Sequence, residues 1–400
     1  MSKTSTTSET PIFEPNYKRA EKILLDLLSI PGPSGEEAAV VKYIVDQLKA
    51  AGVPASAIKT DRAHKKSIFG GQIGNLACRL PGNKRADRRL FMAHMDTVPI
   101  CVGTKPVKKG NTIRPASRET GLGADNRSGV ATVLATALDV LEKDLPAPPL
   151  TFFWTVQEEG GMHGCRNATI SMLGKPKLAF NMDASHWQEL TVGATSGYRM
   201  TIDIHGIASH AGTHPDRGVS AITIASLAIA ELHRDGWIGL VEKNGKRGAA
   251  NIGLINGGDA INVVAPYVQL KAEARSHNAG LRRRIVSRIE SAFQRAAKAV
   301  KSSEGKRGSV EIQGRLDYEA FRLKDKEPCV LEAEAAIREL GGEPVKKVAN
   351  GGLDANWMAI HEIPTVTFGT GQFNAHTVDE WMDLEEYRKA CKLALRLATR

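Results

Sequence analysis

The chain has 400 residues, 42% hydrophobic and 24% charged, the balance of an ordinary soluble globular protein with ample material for a core. No apolar run approaches a membrane span, and the polar Met1–Thr10 stretch lacks the apolar centre of a secretory signal, so a cytoplasmic address is expected. The net charge of +10 brings nucleic-acid binding into view, yet the basic clusters Lys105–Lys109, Lys243–Arg247 and Arg282–Arg284 lack interleaved aromatics and read as solvated faces.

In chain order, Tyr17–Ser29 carries Ile23, Leu24, Leu27 and Leu28 at helical spacing and stops at Pro31-Gly32-Pro33. A second helix is expected from Ser34, where Ser34 and Glu37 match a capping box, through Leu48 to Gly52. On that reading Glu36-Glu37 is an ordinary helix start. Asn75–Leu80 and Arg89–Met95 read as strands, the second running into His94-Met95-Asp96. Gly121–Gly129 is a glycine-rich turn opening a helix through Leu141. It lacks the lysine of a P-loop, and Asp125 at its centre would repel phosphate, so Asp125 reads as a metal ligand or a cap.

The apolar run Thr151–Val156 ends abruptly in Gln157-Glu158-Glu159-Gly160-Gly161, a buried strand delivering two acids to a turn. Leu178–Asn181 is another strand, ending at Asp183, which could alternatively cap a helix. Three strands thus end in His94 with Asp96, Glu158 with Glu159, and Asp183. Alternation of strands and helices predicts an α/β doubly wound sheet, at least partly parallel, with ligands bound beyond the strand ends.

From about Thr195 the texture changes. Strand Arg199–Ile207, helix Ser220–Arg234, strands Asn251–Ile255 and Tyr267–Arg275, helix Leu281–Val300 and strand Ser309–Leu316 follow the β-α-β-β-α-β order of a ferredoxin-like unit. It reads as an insertion, dividing the chain into 1–194, 195–321 and 322–400. The last part supplies a helix from Pro328 to Leu340, strand Thr365–Phe368, a loop with Asn374-Ala375-His376, and a closing helix, Leu384–Leu397. The five scattered cysteines form no C-x-x-C pair and suggest neither a thiolate zinc site nor a disulfide framework.

His94, Asp125, Glu159, Asp183 and His376 are the candidate metal ligands. Carboxylate and imidazole without thiolate suit zinc, manganese or cobalt. Two ions about 3.5–4 Å apart sharing one carboxylate would use all five. Glu158 is then a free carboxylate beside the cations, where a general base must stand. Asp96 can fix the tautomer of His94. The plain alternatives are a surface histidine and a solvated turn.

The set His94-Met95-Asp96-Thr97-Val98-Pro99, Gly123-Ala124-Asp125-Asn126, Glu158-Glu159-Gly160, Met182-Asp183 and Asn374-Ala375-His376 resembles the M20 family of dinuclear zinc peptidases. Leu122–Asp125 and Gly351-Gly352-Leu353-Asp354 are most similar to its peptidase T, or tripeptide aminopeptidase, branch. The resemblance implies a zinc-exopeptidase-like mixed sheet flanked by helices, with the inserted unit as lid and dimerisation domain. It implies two zinc ions, one on His94, Asp125 and Asp183, the other on Asp125, Glu159 and His376. Asp125 would bridge, Glu158 would be the base, Asp96 would orient His94, and a cis peptide would follow Asp125. Ser209–Gly212 is similar to a lid segment whose histidine, here His210, serves the partner's active site. Gly257–Pro266, with Asn262, and Arg275 resemble a substrate-binding strand. His210 could stabilise an oxyanion and Arg275 could fork onto a substrate carboxylate, against the plainer readings of a loop histidine and an arginine paired with an internal acid. The expected substrate is a short peptide cut at its N-terminal residue. The expected assembly is a homodimer, with neither nucleic acid nor membrane as partner. An aminoacylase, a carboxypeptidase or another N-acyl amino-acid hydrolase remains open as the alternative, and a basic nucleic-acid-binding protein as the remote one.

Overall fold

The computed structural model describes residues 11–400, so the Met1–Thr10 stretch read above for targeting lies outside the described residues. The chain forms two compact units. One comprises residues up to Val192, Arg322–Val348 and Leu353–Arg400; the other comprises Gly193–Phe321 and Ala349–Gly352.

The first unit is built on parallel strands Leu150–Thr155, Arg89–His94, Leu178–Met182 and Thr365–Phe368, every residue of which is buried. Both faces are covered, which is why these strands read as unbroken apolar runs rather than alternating ones. On one face Phe91, Phe152, Trp154 and Phe180 join Leu24, Val41, Leu134, Ile337 and Leu393 of five helices. On the other, Leu90, Met92 and Phe153 pack with Cys165, Leu173 and Met358. Seven of the nine strands run in the order Ile58–Thr60, Leu76–Leu80, Leu150–Thr155, Arg89–His94, Leu178–Met182, Thr365–Phe368, Glu189–Ala194. The antiparallel outer pairings make the sheet mixed.

Register decides where the site falls. His94 lies opposite Thr155, and Met182 opposite Phe368. The turns bearing Asp96, Glu158 and Asp183 therefore leave the same carboxyl edge. A small second sheet carries the His376 loop: Gln372–Phe373 and Trp381–Asp383 pair antiparallel, so residues 374–380 are a hairpin loop, clamped by Phe373 stacked on Trp381 at 4.7 Å.

The second unit is a five-stranded antiparallel sheet in the order Gly239–Lys243, Lys246–Gly257, Tyr267–Ser276, Ser196–His205, Ser309–Tyr318, with helices Ala221–Arg234 and Ala279–Ala299. Met200, Ile202 and Ile204 alternate into its core as the period-two pattern requires. The order is ferredoxin-like with one strand more than expected. Gly239–Lys243 forms a hairpin with Lys246–Ala250, and the Lys243–Arg247 cluster is its turn. Within the same unit Arg282 is buried and paired with Glu319.

One local expectation fails, and one alternative falls away. Ser34 and Glu37 form no capping box. The helix is Ala38–Ala50, and Glu37 at its N-cap makes no side-chain cap bond. Asp183 caps no helix, since residues after Met182 run through a loop to Glu189.

Candidate metal centre

Helix Ala124–Glu142 opens from Gly123, whose φ of +77° is the left-handed region glycine favours. Its first turn is interrupted by non-helical Asp125 and Asn126, joined by a cis peptide. The helix then lies close against the Leu178–Met182 strand: a Cβ on Gly129 would stand 1.9 Å from the Met182 carbonyl oxygen. This packing aims the Asp125 carboxylate at the strand ends.

Its two oxygens face different histidines. Oδ1 is 3.1 Å from His94 Nε2, and Oδ2 is 3.4 Å from His376 Nε2. His94 Nε2 is also 3.7 Å from Asp183 Oδ1, and His376 Nε2 is 2.8 Å from Glu159 Oε1. Two triads thus share one carboxylate. Donor atoms of His94, Asp125 and Glu159 lie within 4.8 Å of one another. All five candidate ligands, from residues 94 to 376, converge.

The turn beneath them is held by Asp96, which is buried. Its Oδ1 accepts the Glu158 N–H at 2.9 Å, and its Oδ2 accepts the Glu159 N–H at 3.1 Å and the Ser34 hydroxyl. His94 Nδ1 is 3.1 Å from the Asp96 carbonyl oxygen and 3.5 Å from its carboxylate. A proton held on Nδ1 by that carbonyl leaves the Nε2 lone pair for a cation. Asp96 thus contributes through its backbone as well as its side chain, a division the sequence does not reveal.

Glu37 and Asp354 are also built into this region. Glu37 Oε1 accepts the N–H groups of Gly35 and Gln157, and Gln157 is a turn residue with φ +55°. Ser34 and Glu37, read as a helix start, therefore brace the turn that carries Glu158. Asp354 is buried, accepts the Thr155 hydroxyl on Oδ2, and has no partner for Oδ1 among the described residues. Its glycine-rich approach was visible in sequence, but its tie to Thr155 was not.

The electrostatics are those of a site short of positive charge. Burial, reinforced by Glu159, Asp354 and Asp183, pushes the Glu158 carboxyl well above its usual range. Burial raises Glu159 as well, and takes Asp354 to about 7. His376, bonded to Asp125 and Glu159, is pushed up to about 10. Burial opposes charge on His94, but Asp183, Asp125 and Asp96 hold its imidazolium well above the ordinary value. Asp125 too is penalised by burial, yet His376 and His94 keep it well below the carboxylate range. The cluster retains protons as its counter-charge, and divalent cations would replace them. Oxygen and imidazole donors with no thiolate fit such ions.

His210, Asn262 and Arg275 belong to the second unit. Nδ1 of exposed His210 accepts from the N–H groups of Gly212 and Thr213 at 3.2 and 3.1 Å. Nε2 must then carry the proton, so His210 presents an N–H donor. Asn262 is exposed, and its carbonyl accepts the Ala211 N–H. Arg275 makes a two-pronged bond to Glu273 at 3.0 and 2.9 Å, the contact of an arginine paired with an internal acid.

Residues 90–400 match the model of peptidase family M20/M25/M40. A tripeptidase of Staphylococcus aureus superposes with a TM-score of 0.86 at 29% identity, covering 97% of this chain and 99% of that one. Aminopeptidase PepT of Bacillus cereus gives 0.81 at 30% identity, covering 96% and 98%. The uncharacterized protein YqjE of Bacillus subtilis is 31% identical over 383 residues, 96% of this chain and 98% of its own.

Proposed function

This chain belongs to peptidase family M20/M25/M40 and is a hydrolytic peptidase, and from that premise we propose that it is a two-metal aminopeptidase releasing the N-terminal residue of short peptides, tripeptides foremost. The observation that carries the metal reading is the division of the Asp125 carboxylate between His94 and His376. The likeness to a tripeptidase and to PepT supports the substrate.

We assign one ion to His94, Asp125 and Asp183, the second to Asp125, Glu159 and His376, with zinc as the native metal and manganese or cobalt as substitutes. Bound there, the ions would supply Lewis-acid chemistry, acidifying a water and drawing charge from the scissile carbonyl. Glu158 accepts the proton the attacking water sheds and returns it to the departing amine nitrogen. Asp96 keeps the Glu158 and Glu159 amides in place and so fixes where both carboxylates stand. The Nε2–H of His210 is the oxyanion donor. Asn262 and Arg275 bind substrate, Arg275 by exchanging Glu273 for a substrate carboxylate. The assembly is a cytoplasmic homodimer joined through the inserted lid unit. The five cysteines, all free and buried, suit a reducing compartment, and among the described residues no helix is long and apolar enough to cross a membrane.

The test is Glu158→Ala, assayed on tripeptides, dipeptides and N-acyl amino acids with metal content measured in parallel. The variant should keep its metal and lose turnover by roughly 10²-fold or more; retained turnover removes Glu158 as base. Wild-type preference for N-acyl amino acids over tripeptides would move the protein to the aminoacylase reading.

A further inference from the structure

The hairpin loop that carries His376 ends at Glu380, whose side chain turns back under the Asp125 turn. Glu380 is 1% exposed. Its Oε2 accepts the N–H groups of Leu122 and Gly123, both at 2.7 Å, and its Oε1 accepts the N–H of Asp125 at 3.0 Å. The Cys101 thiol lies 3.7 Å from Oε2. One carboxylate therefore gathers three consecutive-turn donors, a backbone nest closed by a charged acceptor. The loop's other end is pinned as well: Thr377 Oγ1 donates to the Asn374 carbonyl at 2.8 Å, and Glu380 N–H to the Thr377 carbonyl at 3.3 Å. Three residues lie between His376 and Glu380, so these bonds tie the end of the His376 loop to the Asp125 turn.

The position is electrostatically unfavourable. Burial raises the Glu380 carboxyl, and the nearby Asp125 charge works in the same direction. A neutral hydroxyl or amide could satisfy some of these donors without placing a second acid beside a metal ligand. A carboxylate alone offers acceptors on both oxygens, which is what binding donors on two sides of the turn demands.

We propose that Glu380 is a positioning residue that sets the separation of Asp125 and His376 and thereby the affinity of the second ion. This rests on the two-ion reading given above. Ion one shares Asp125 but also has His94 and Asp183, to neither of which Glu380 is bonded. Ion two depends on Asp125 and His376, which Glu380 links. Glu380→Gln turns an NH₂ group toward at least one backbone N–H, so one side of the nest is lost. Glu380→Asp keeps the charge but shortens the reach.

The experiment titrates metal-free wild type, E380Q and E380D with Co²⁺, following visible absorption and binding heat. Wild type should take two equivalents. In both variants the second equivalent should weaken by about 10–100-fold, as loss of an outer partner does, while the first changes less than about threefold. Excess Co²⁺ should restore most of kcat. Equal weakening of both equivalents, or no weakening, overturns the assignment, as does failure of both variants to fold in the presence of metal. A wild type that takes fewer than two equivalents instead overturns the two-ion reading itself.

Discussion

At Glu37 both N–H donors sit on Oε1 while Oε2 has no partner among the described residues. Burial, reinforced by Asp96, raises its pKa from 4.5 to about 7. Across that window the folded chain holds a proton that the unfolded chain has released, so stability falls as pH rises from about 4.5 to 7 and stays at the lower level above it. Glu37→Gln keeps the oxygen that accepts and removes the charge. Its unfolding free energy, relative to wild type, should therefore rise by up to roughly 3 kcal/mol between about pH 5 and pH 8, measured by urea unfolding at each pH. A pH-independent difference would refute this account. The ligands give a second expectation. His376, held near pKa 10 by Asp125 and Glu159, must lose its proton before Nε2 can coordinate. Zinc titration of the metal-free protein at neutral pH should thus release protons, read as a calorimetric enthalpy that scales with the buffer's ionisation enthalpy; no such scaling would contradict the charge balance described for the centre. The convergence of His94, Asp125, Glu159 and Asp183 could be anticipated from sequence because each lies at the end of an apolar strand or in a glycine-rich turn, whereas His376 sits in a hairpin loop. The part Glu37 plays could not be, because Ser-x-x-Glu is also a sound capping signal, while Gln157, one of its two donors, lies 120 positions away.

Among the elements, helix Ala124–Glu142 does most to aim the centre, and its approach to the sheet depends on Gly129. A methyl group there would meet the Met182 carbonyl oxygen at 1.9 Å and Asn126 Oδ1 at 2.3 Å. The first is a backbone atom, and the second is a buried side-chain oxygen that accepts the Gly129 N–H at 3.1 Å. Gly129→Ala should cost about 2–3 kcal/mol of stability by denaturant unfolding and lower metal affinity at the same time, because Asp125 moves with the helix. An alanine variant with unchanged midpoint and metal affinity would show that the helix has room to shift. The buried parallel strands were readable because both faces are covered and their sequences are continuously apolar. Pro106–Lys109, Thr112–Pro115 and Gly239–Lys243 were missed. They are short, and Pro106–Lys109 and Gly239–Lys243 are mostly exposed and carry lysine clusters, so they offer no run for hydrophobic periodicity to find.

On the scale of the whole molecule, the inserted unit presents an unfinished edge. Gly239–Lys243 covers only Lys246–Ala250 of the neighbouring strand, leaving Asn251–Gly257 without a partner on that side among the described residues. Leu254 and Ile255 there are 39% and 53% exposed, and Ile261 just beyond is fully exposed. An open apolar edge invites pairing with a second copy, which supports the homodimer proposed above. Ile255→Asp should yield monomers by light scattering. If His210 serves the opposite copy's centre, kcat should fall about 10²-fold with it; a fully active monomer would confine His210 to a structural part. The order of the proposed ligands along the chain has a consequence in time. His94, Asp125, Glu159 and Asp183 precede the inserted unit and His376 follows it. During synthesis the last of these imidazoles emerges only after the inserted unit has been made. On the two-ion reading proposed above, a chain halted before His376 would lack a donor to the second ion.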